Sequence, residues 1–190
     1  LRRRQRQMCI RDSVEVSEVR ITIVNDDTGQ IVVSNVSVDQ SGGGYWIYSL
    51  DTSSLLDGNY TVTVYAVDLG GYKVSDSVSI NVDNKDPYLA IQSPYDMQIL
   101  SGSVDIKVIV KDTFLKNVEY SVDNLGFVPL NTTLNTELYE DGLHTITLRA
   151  IDYVEHVSER RVTVYFDNNP PNVIGVSLPS SIISGVYNIA

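Results

Sequence analysis

The chain repeats itself at a fixed distance. Asp57-Gly58-Asn59-Tyr60-Thr61-Val62-Thr63-Val64-Tyr65-Ala66-Val67-Asp68 returns 84 residues later as Asp141-Gly142-Leu143-His144-Thr145-Ile146-Thr147-Leu148-Arg149-Ala150-Ile151-Asp152. At the same shift, Val82-Asp83-Asn84-Lys85-Asp86-Pro87 becomes Phe166-Asp167-Asn168-Asn169-Pro170-Pro171. A period of that size is one small domain, so the sequence predicts an array of like modules rather than one large core. Four segments follow from the register: 1–13, 14–83, 84–168 and 169–190.

The central copy, 84–168, reads as strands and turns. Tyr88-Leu89-Ala90-Ile91-Gln92 follows Pro87 and suits an edge strand. Val104, Ile106, Val108 and Val110 alternate with Asp105, Lys107, Ile109 and Lys111, which predicts one half-buried strand. Val118, Tyr120 and Val122 give the next strand, and Asp123-Asn124-Leu125-Gly126 gives a turn. Phe127-Val128-Pro129-Leu130 is a short edge piece, because Pro129 has no N–H for a central ladder. Asp141-Gly142 turns the chain into His144–Ala150, and Val162–Phe166 closes the copy. About seven short strands without a helical period predict an all-β fold of antiparallel two-sheet sandwiches.

Leu55-Leu56-Asp57-Gly58-Asn59-Tyr60 resembles the tyrosine corner of immunoglobulin-type sandwiches, with Tyr60 as the corner and His144 in its place one copy later. Val62 and Ile146 stand where antibody domains carry their second cysteine, so the core is expected to be apolar. DGNYTVTVYAVD and DGLHTITLRAID, followed by VDNKDP and FDNNPP, resemble the Ig-like repeats of large bacterial and archaeal secreted or cell-surface proteins. The resemblance covers residues 14–190. It implies tandem immunoglobulin-like modules and a partner set made up first of other such modules in the same chain.

The first and last copies are incomplete by this register. Residues 14–83 match from about Val16 onward and lack the first two strands. They also carry 15 extra residues between Val19 and Asp57, including Ser41-Gly42-Gly43-Gly44-Tyr45-Trp46. An uncovered apolar face and a bare strand edge are expected there. Residues 169–190 start a third copy: Ser184-Gly185-Val186-Tyr187-Asn188-Ile189 answers to Ser101-Gly102-Ser103-Val104-Asp105-Ile106. The chain therefore reads as a fragment of a longer array.

Residues 1–13 differ from the rest. Five arginines against one aspartate put them at +4, whereas the other 177 residues hold nine basic and 23 acidic groups, a net −14. No apolar run of about 7–15 residues follows, so a signal peptide is not the reading. Arg3–Asp12 resembles the translation of a transposase-type sequencing-library adapter, CGT CGG CAG CGT CAG ATG TGT ATA AGA GAC. These residues are expected to be an artefact without structure, the alternative being a genuine basic tail. Without them no cysteine remains, so neither disulfides nor thiol chemistry is expected. The acidic balance argues against nucleic acid and anionic membrane surfaces, and no direct membrane insertion is expected.

Candidate sites are few. No Gly-x-Ser-x-Gly, His-Glu-x-x-His or Cys-x-x-Cys occurs, so no enzyme is expected. Glu137, Glu140 and Asp141 could pose as a glycosidase pair, but acids beside a turn are more often a solvated edge. Asp83, Asp86 and Asp167 lie where copies join and offer hard oxygen ligands for Ca²⁺, the one candidate cofactor. The competing reading is that Asp and Asn make turns before proline. Tyr45 and Trp46, with Tyr48, could present a glycan platform. In an alternating strand Trp46, Tyr48 and Leu50 share one face while Tyr45 and Ile47 share the other, so one set belongs to core. Asn35, Asn59 and Asn131 open glycosylation sequons. His156 is expected to be solvated.

These features give a non-catalytic structural or adhesive stalk or spacer segment, extracellular or at the cell surface. Short proline-containing joints suit an elongated array. The alternatives are an accessory segment of an extracellular hydrolase and a glycan-binding module. A cell-surface glycan or protein is the further partner.

Overall fold

The computed structural model describes residues 8–9, 15–130 and 133–175. Its strands are β1 (Met8–Cys9), β2 (Val16–Asn25), β3 (Ile31–Ser37), β4 (Asp39–Gly42), β5 (Tyr45–Ile47), β6 (Gly58–Asp68), β7 (Lys73–Val82) and β8 (Tyr88–Ser93). They continue as β9 (Gln98–Leu100), β10 (Ser103–Val104), β11 (Lys107–Lys111), β12 (Leu115–Val122), β13 (Val128–Pro129), β14 (Leu134–Asn135), β15 (Gly142–Asp152) and β16 (Val157–Phe166). One 3₁₀ turn at Thr136–Leu138 is the only helical element among the described residues. The fold is all-β and built of several sheets, most of their pairings antiparallel, as the period-two alternation required.

The chain divides into two compact units. The first comprises Leu1–Tyr88, Lys111–Lys116 and Ile151–Ser158, and the second Leu89–Val110, Asn117–Ala150 and Glu159–Ala190. The main sheet of the first unit has the order β3-β2-β6-β7. β2 alternates cleanly, with Val19, Ile21 and Ile23 buried and their neighbours not. Paired with β6 in the register Ile21↔Val64 and Ile23↔Val62, it forms a core cluster with Val33, Val38, Tyr60, Ala66 and Val82. A small sheet of order β1-β5-β4 lies in the same unit, with Met8↔Trp46 and Cys9↔Tyr45. The expectation of no structure in 1–13 therefore does not hold at these two residues.

The large sheet that contains β15 has the order β13-β12-β15-β16-β9. Ile146, Leu148 and Ala150 lie wholly buried on one face of β15. Asp123 and Asn124 both have positive φ, and Leu125 N–H donates to Val122 O at 3.0 Å, a tight hairpin turn where the sequence placed one. β13 is an edge strand, with Pro129 opposite Glu119. Two pairings differ from the expectation. Val104–Lys111 is not one strand: β10 pairs with β14 and β11 with β8. The outermost strand β9 runs parallel to β16, with Val164↔Gln98, Tyr165↔Ile99 and Phe166↔Leu100. A covering strand that enters from a long connection can lie parallel, whereas a hairpin cannot. Pro171–Gly175 carries no strand. The expected later strand of a third copy lies outside the described residues.

Candidate functional site

The repeated polar residues make repeated bonds. Tyr60, buried in the core cluster, donates its hydroxyl to Leu56 O at 2.8 Å. That is the tyrosine-corner bond, which ties the start of the strand back over its own turn. At His144 the ring takes over: Nε2 lies 2.8 Å from Glu140 O, the same four-residue span. Nδ1 lies 2.6 Å from Asp123 Oδ2. Both nitrogens face acceptors, so only the doubly protonated ring donates to both. The imidazole stacks on Phe166, with centroids 4.3 Å apart. Phe166 stands where the first copy has Val82, so a smaller corner ring is matched by a larger neighbour.

The residues before the prolines are consumed in the same way. Asn84 N–H donates to Asp57 Oδ1 at 2.8 Å, and Asn168 N–H to Asp141 Oδ1 at 2.8 Å. The Asn84 carboxamide donates to Thr52 O and Leu55 O. The Asn168 carboxamide accepts from Gly102 N–H and the Thr136 hydroxyl. Asp141 also accepts from Asn169, and the Asn168 N–H holds its carboxyl below the usual range. Of the three acids read together in the sequence, Asp141 is thus committed to its turn, while Glu137 and Glu140 are exposed. Gly58 and Gly142 have φ of +149° and +142°, a region L-residues avoid, so the Asp-Gly pair is required at both turns.

The three acids proposed for Ca²⁺ are not brought together. Asp167 is exposed, with its N–H donating to Leu100 O at 3.0 Å. Asp86 is also exposed. Asp83 joins a different set: its carboxylate lies with Asp152 and the His156 ring, each offering an atom within 4.8 Å of the others. All three belong to the first compact unit. Asp152 is wholly buried; Oδ1 accepts from Val154 N–H and His156 N–H, and Oδ2 faces His156 Nδ1 at 2.8 Å. The same loop closure occurs at Asp68, whose Oδ1 accepts from Tyr72 N–H at 2.8 Å. Asp83 Oδ2 is buried and has no hydrogen-bond partner.

Burial, followed by the charges of Asp152, Asp112 and Asp57, pushes the Asp83 carboxyl above its usual value. Burial works against a charged His156, but Asp152, with Asp83 and Asp86 beyond it, holds the ring above the ordinary histidine value. The set thus gathers two carboxyl groups and one imidazole in one small cluster, with Asp152 buried and Asp83 and His156 half-buried. One nitrogen and two carboxylates make a poor Ca²⁺ cage, since Ca²⁺ takes six to eight oxygens. Sequence reasoning missed Asp152 and took His156 as solvated. The signal available was the Asp-x-x-x-His spacing after a strand.

Trp46, Tyr48 and Leu50 pack against the core cluster, while Tyr45 and Ile47 are exposed. The alternation holds, and Tyr45 and Trp46 do not form one flat platform. Asn35 and Asn59 are exposed. Asn131 lies outside the described residues. No helix among the described residues is long and apolar enough to cross a membrane.

A family described as "Domain of unknown function (DUF3244)" matches residues 4–77, a range that starts within the arginine-rich stretch and ends in β7. Comparison with curated proteins finds no match. Among solved structures, the chain is similar to the fibronectin(III)-like modules of Clostridium thermocellum CbhA, at 16% identity and a TM-score of 0.38, covering 85% of this chain and 84% of that one. It is similar to a tetra-tandem repeat in the extending region of a large adhesion protein, at 22% identity and a TM-score of 0.39, covering 81% and 43%. It is also similar to Drosophila N-cadherin EC1-4, at 19% identity and a TM-score of 0.37, covering 80% and 41%. The chain spans less than half the length of the last two.

Proposed function

We propose that this chain is a non-catalytic Ig-like spacer segment of a secreted or cell-surface protein, with a structural or adhesive role. One observation carries the reading. The polar residues that recur at the 84-residue shift are spent on holding corners and turns: Tyr60 and His144 on backbone carbonyls, Asp57 and Asp141 on the N–H groups of Asn84 and Asn168. What the repeat preserves is scaffold, and a scaffold repeated in series is what a spacer requires. Reading the parent gene across Ser13 and past Ala190 with long, adapter-free reads tests this. Further copies of the Asp-Gly-x-Tyr/His corner and an anchor are expected. An adjoining catalytic domain would instead make the segment an accessory of a hydrolase.

A further inference from the structure

Asp83 and His156 carry chemistry that the repeat does not ask of them. In the first copy Asp68 closes its loop by accepting the Tyr72 N–H on Oδ1, and the Tyr72 ring is 80% exposed. Asp152 closes the matching loop by accepting the His156 N–H on Oδ1 at 2.9 Å. Closure is a backbone bond, so it needs no imidazole four residues after the aspartate. His156 nevertheless sets its ring against Asp152, with Nδ1 2.8 Å from Oδ2, and is half-buried. Asp83 departs from its counterpart as well. Asp167 is exposed, whereas Asp83 Oδ2 is buried and has no hydrogen-bond partner among the described residues. Burying an oxygen acceptor unpaired is costly, and a bound cation offsets that cost.

The three side chains are close enough to share one ion. Each offers a ligand atom within 4.8 Å of the others. Ligands about 2.1 Å from a tetrahedral ion stand roughly 3.4 Å apart, so small side-chain rotations close the set. A cavity of about 360 Å³, lined by Asn81, Asp83, Phe114, Tyr153 and Val154, reaches Asp83 and gives an ion and its water a way in. Cluster and cavity both belong to the first compact unit. One imidazole nitrogen with two carboxylates suits Zn²⁺ and similar borderline ions, whereas Ca²⁺ takes oxygens alone and more of them. We propose that Asp83, Asp152 and His156 form a three-ligand site for a divalent transition-metal ion of the Zn²⁺ type, with water in the fourth position. The ion neutralises the two carboxylates, and the nearby charges of Asp112 and Asp57 add to the attraction. In the metal-free chain the ring proton facing Asp152 fills part of this role, and the ion displaces it.

Calorimetric titration of the whole chain with Zn²⁺ near neutral pH tests this, in a Cys9→Ser background that removes the one thiol. One equivalent is expected to bind and to raise the melting temperature. Asp83→Asn and His156→Gln should each weaken binding about tenfold or more. His144→Gln, which alters the other histidine, should leave it unchanged. Melting in metal-free buffer separates loss of the site from loss of the fold, and Asp83→Asn is expected to keep its transition there. Absence of Zn²⁺ binding, binding that survives both substitutions, or Ca²⁺ held as tightly as Zn²⁺ overturns the proposal.

Discussion

β6 and β15 are near-copies in sequence, and they meet different surroundings. Val62 and Val64 on β6 are only half-buried, whereas Ile146 and Leu148 on β15 are wholly buried. The strand itself is the same object in both places. What differs is the surroundings: among the described residues β7 is the last strand of its sheet, and its counterpart β16 is not. Strand formation is thus local, but burial is a property of the pair of layers, and most of the stabilisation comes from burial.

The largest test of that contrast separates the copies. Residues 84–168 are expected to melt in one cooperative transition, and residues 14–83 to show none as a stable monomer. A sharp transition from 14–83 would break the comparison. The next test works within the whole chain. Leu148→Ala should cost about 2–5 kcal/mol in the transition of the second copy. Val64→Ala, already half in water, should cost about 1 kcal/mol or less in denaturant titrations. Equal losses would mean that Val64 is buried in solution.

The corners sharpen the comparison further. Tyr60→Phe removes the bond to Leu56 O and should cost about 1 kcal/mol at any pH between 5 and 8. The His144 corner should depend on pH instead. Burial opposes the Asp123 charge, but the Thr145 N–H and His144 hold its carboxyl below the usual value. A carboxyl with a lowered folded value adds stability above its unfolded value of about 3.9, and that stability is lost as pH falls through the folded value. Melting temperature against pH should show this acid limb, and Asp123→Asn should remove it. The smallest effect is at the repeated aspartates. The Asp83 carboxyl is raised, so its ionised form costs stability once pH exceeds about 3.9. Asp83→Asn should therefore stabilise at neutral pH by up to about 1 kcal/mol, while the exposed Asp167→Asn should be neutral. Stabilisation by Ca²⁺ that Asp83→Asn abolishes would reverse this expectation.

Several features were legible without coordinates because they are local. Alternation along β2, β12 and β15, the Asp-Gly turns and the Asp123–Asn124 hairpin are each set within about ten residues by side-chain period and backbone preference. The tyrosine corner was legible from one hexapeptide, and the sidedness of Trp46 and Tyr45 followed from the pleat.

Other features joined residues far apart, and pairing energy between distant segments leaves no short-range trace. The alternation of Val104–Lys111 runs unbroken, yet backbone hydrogen bonding assigned its two halves to β14 and β8. The parallel β9–β16 pairing has no turn to announce it. Asp83 looked like a companion of Asp86, three residues away, but folding placed it with Asp152 and His156, about seventy residues on. Composition and period decided that this chain is all-β, with Asp, Asn, Tyr and His recurring at its corners. Tertiary structure decided which strand ends its sheet among the described residues and which carboxylate oxygen is buried, because both depend on what packs against a strand rather than on the strand.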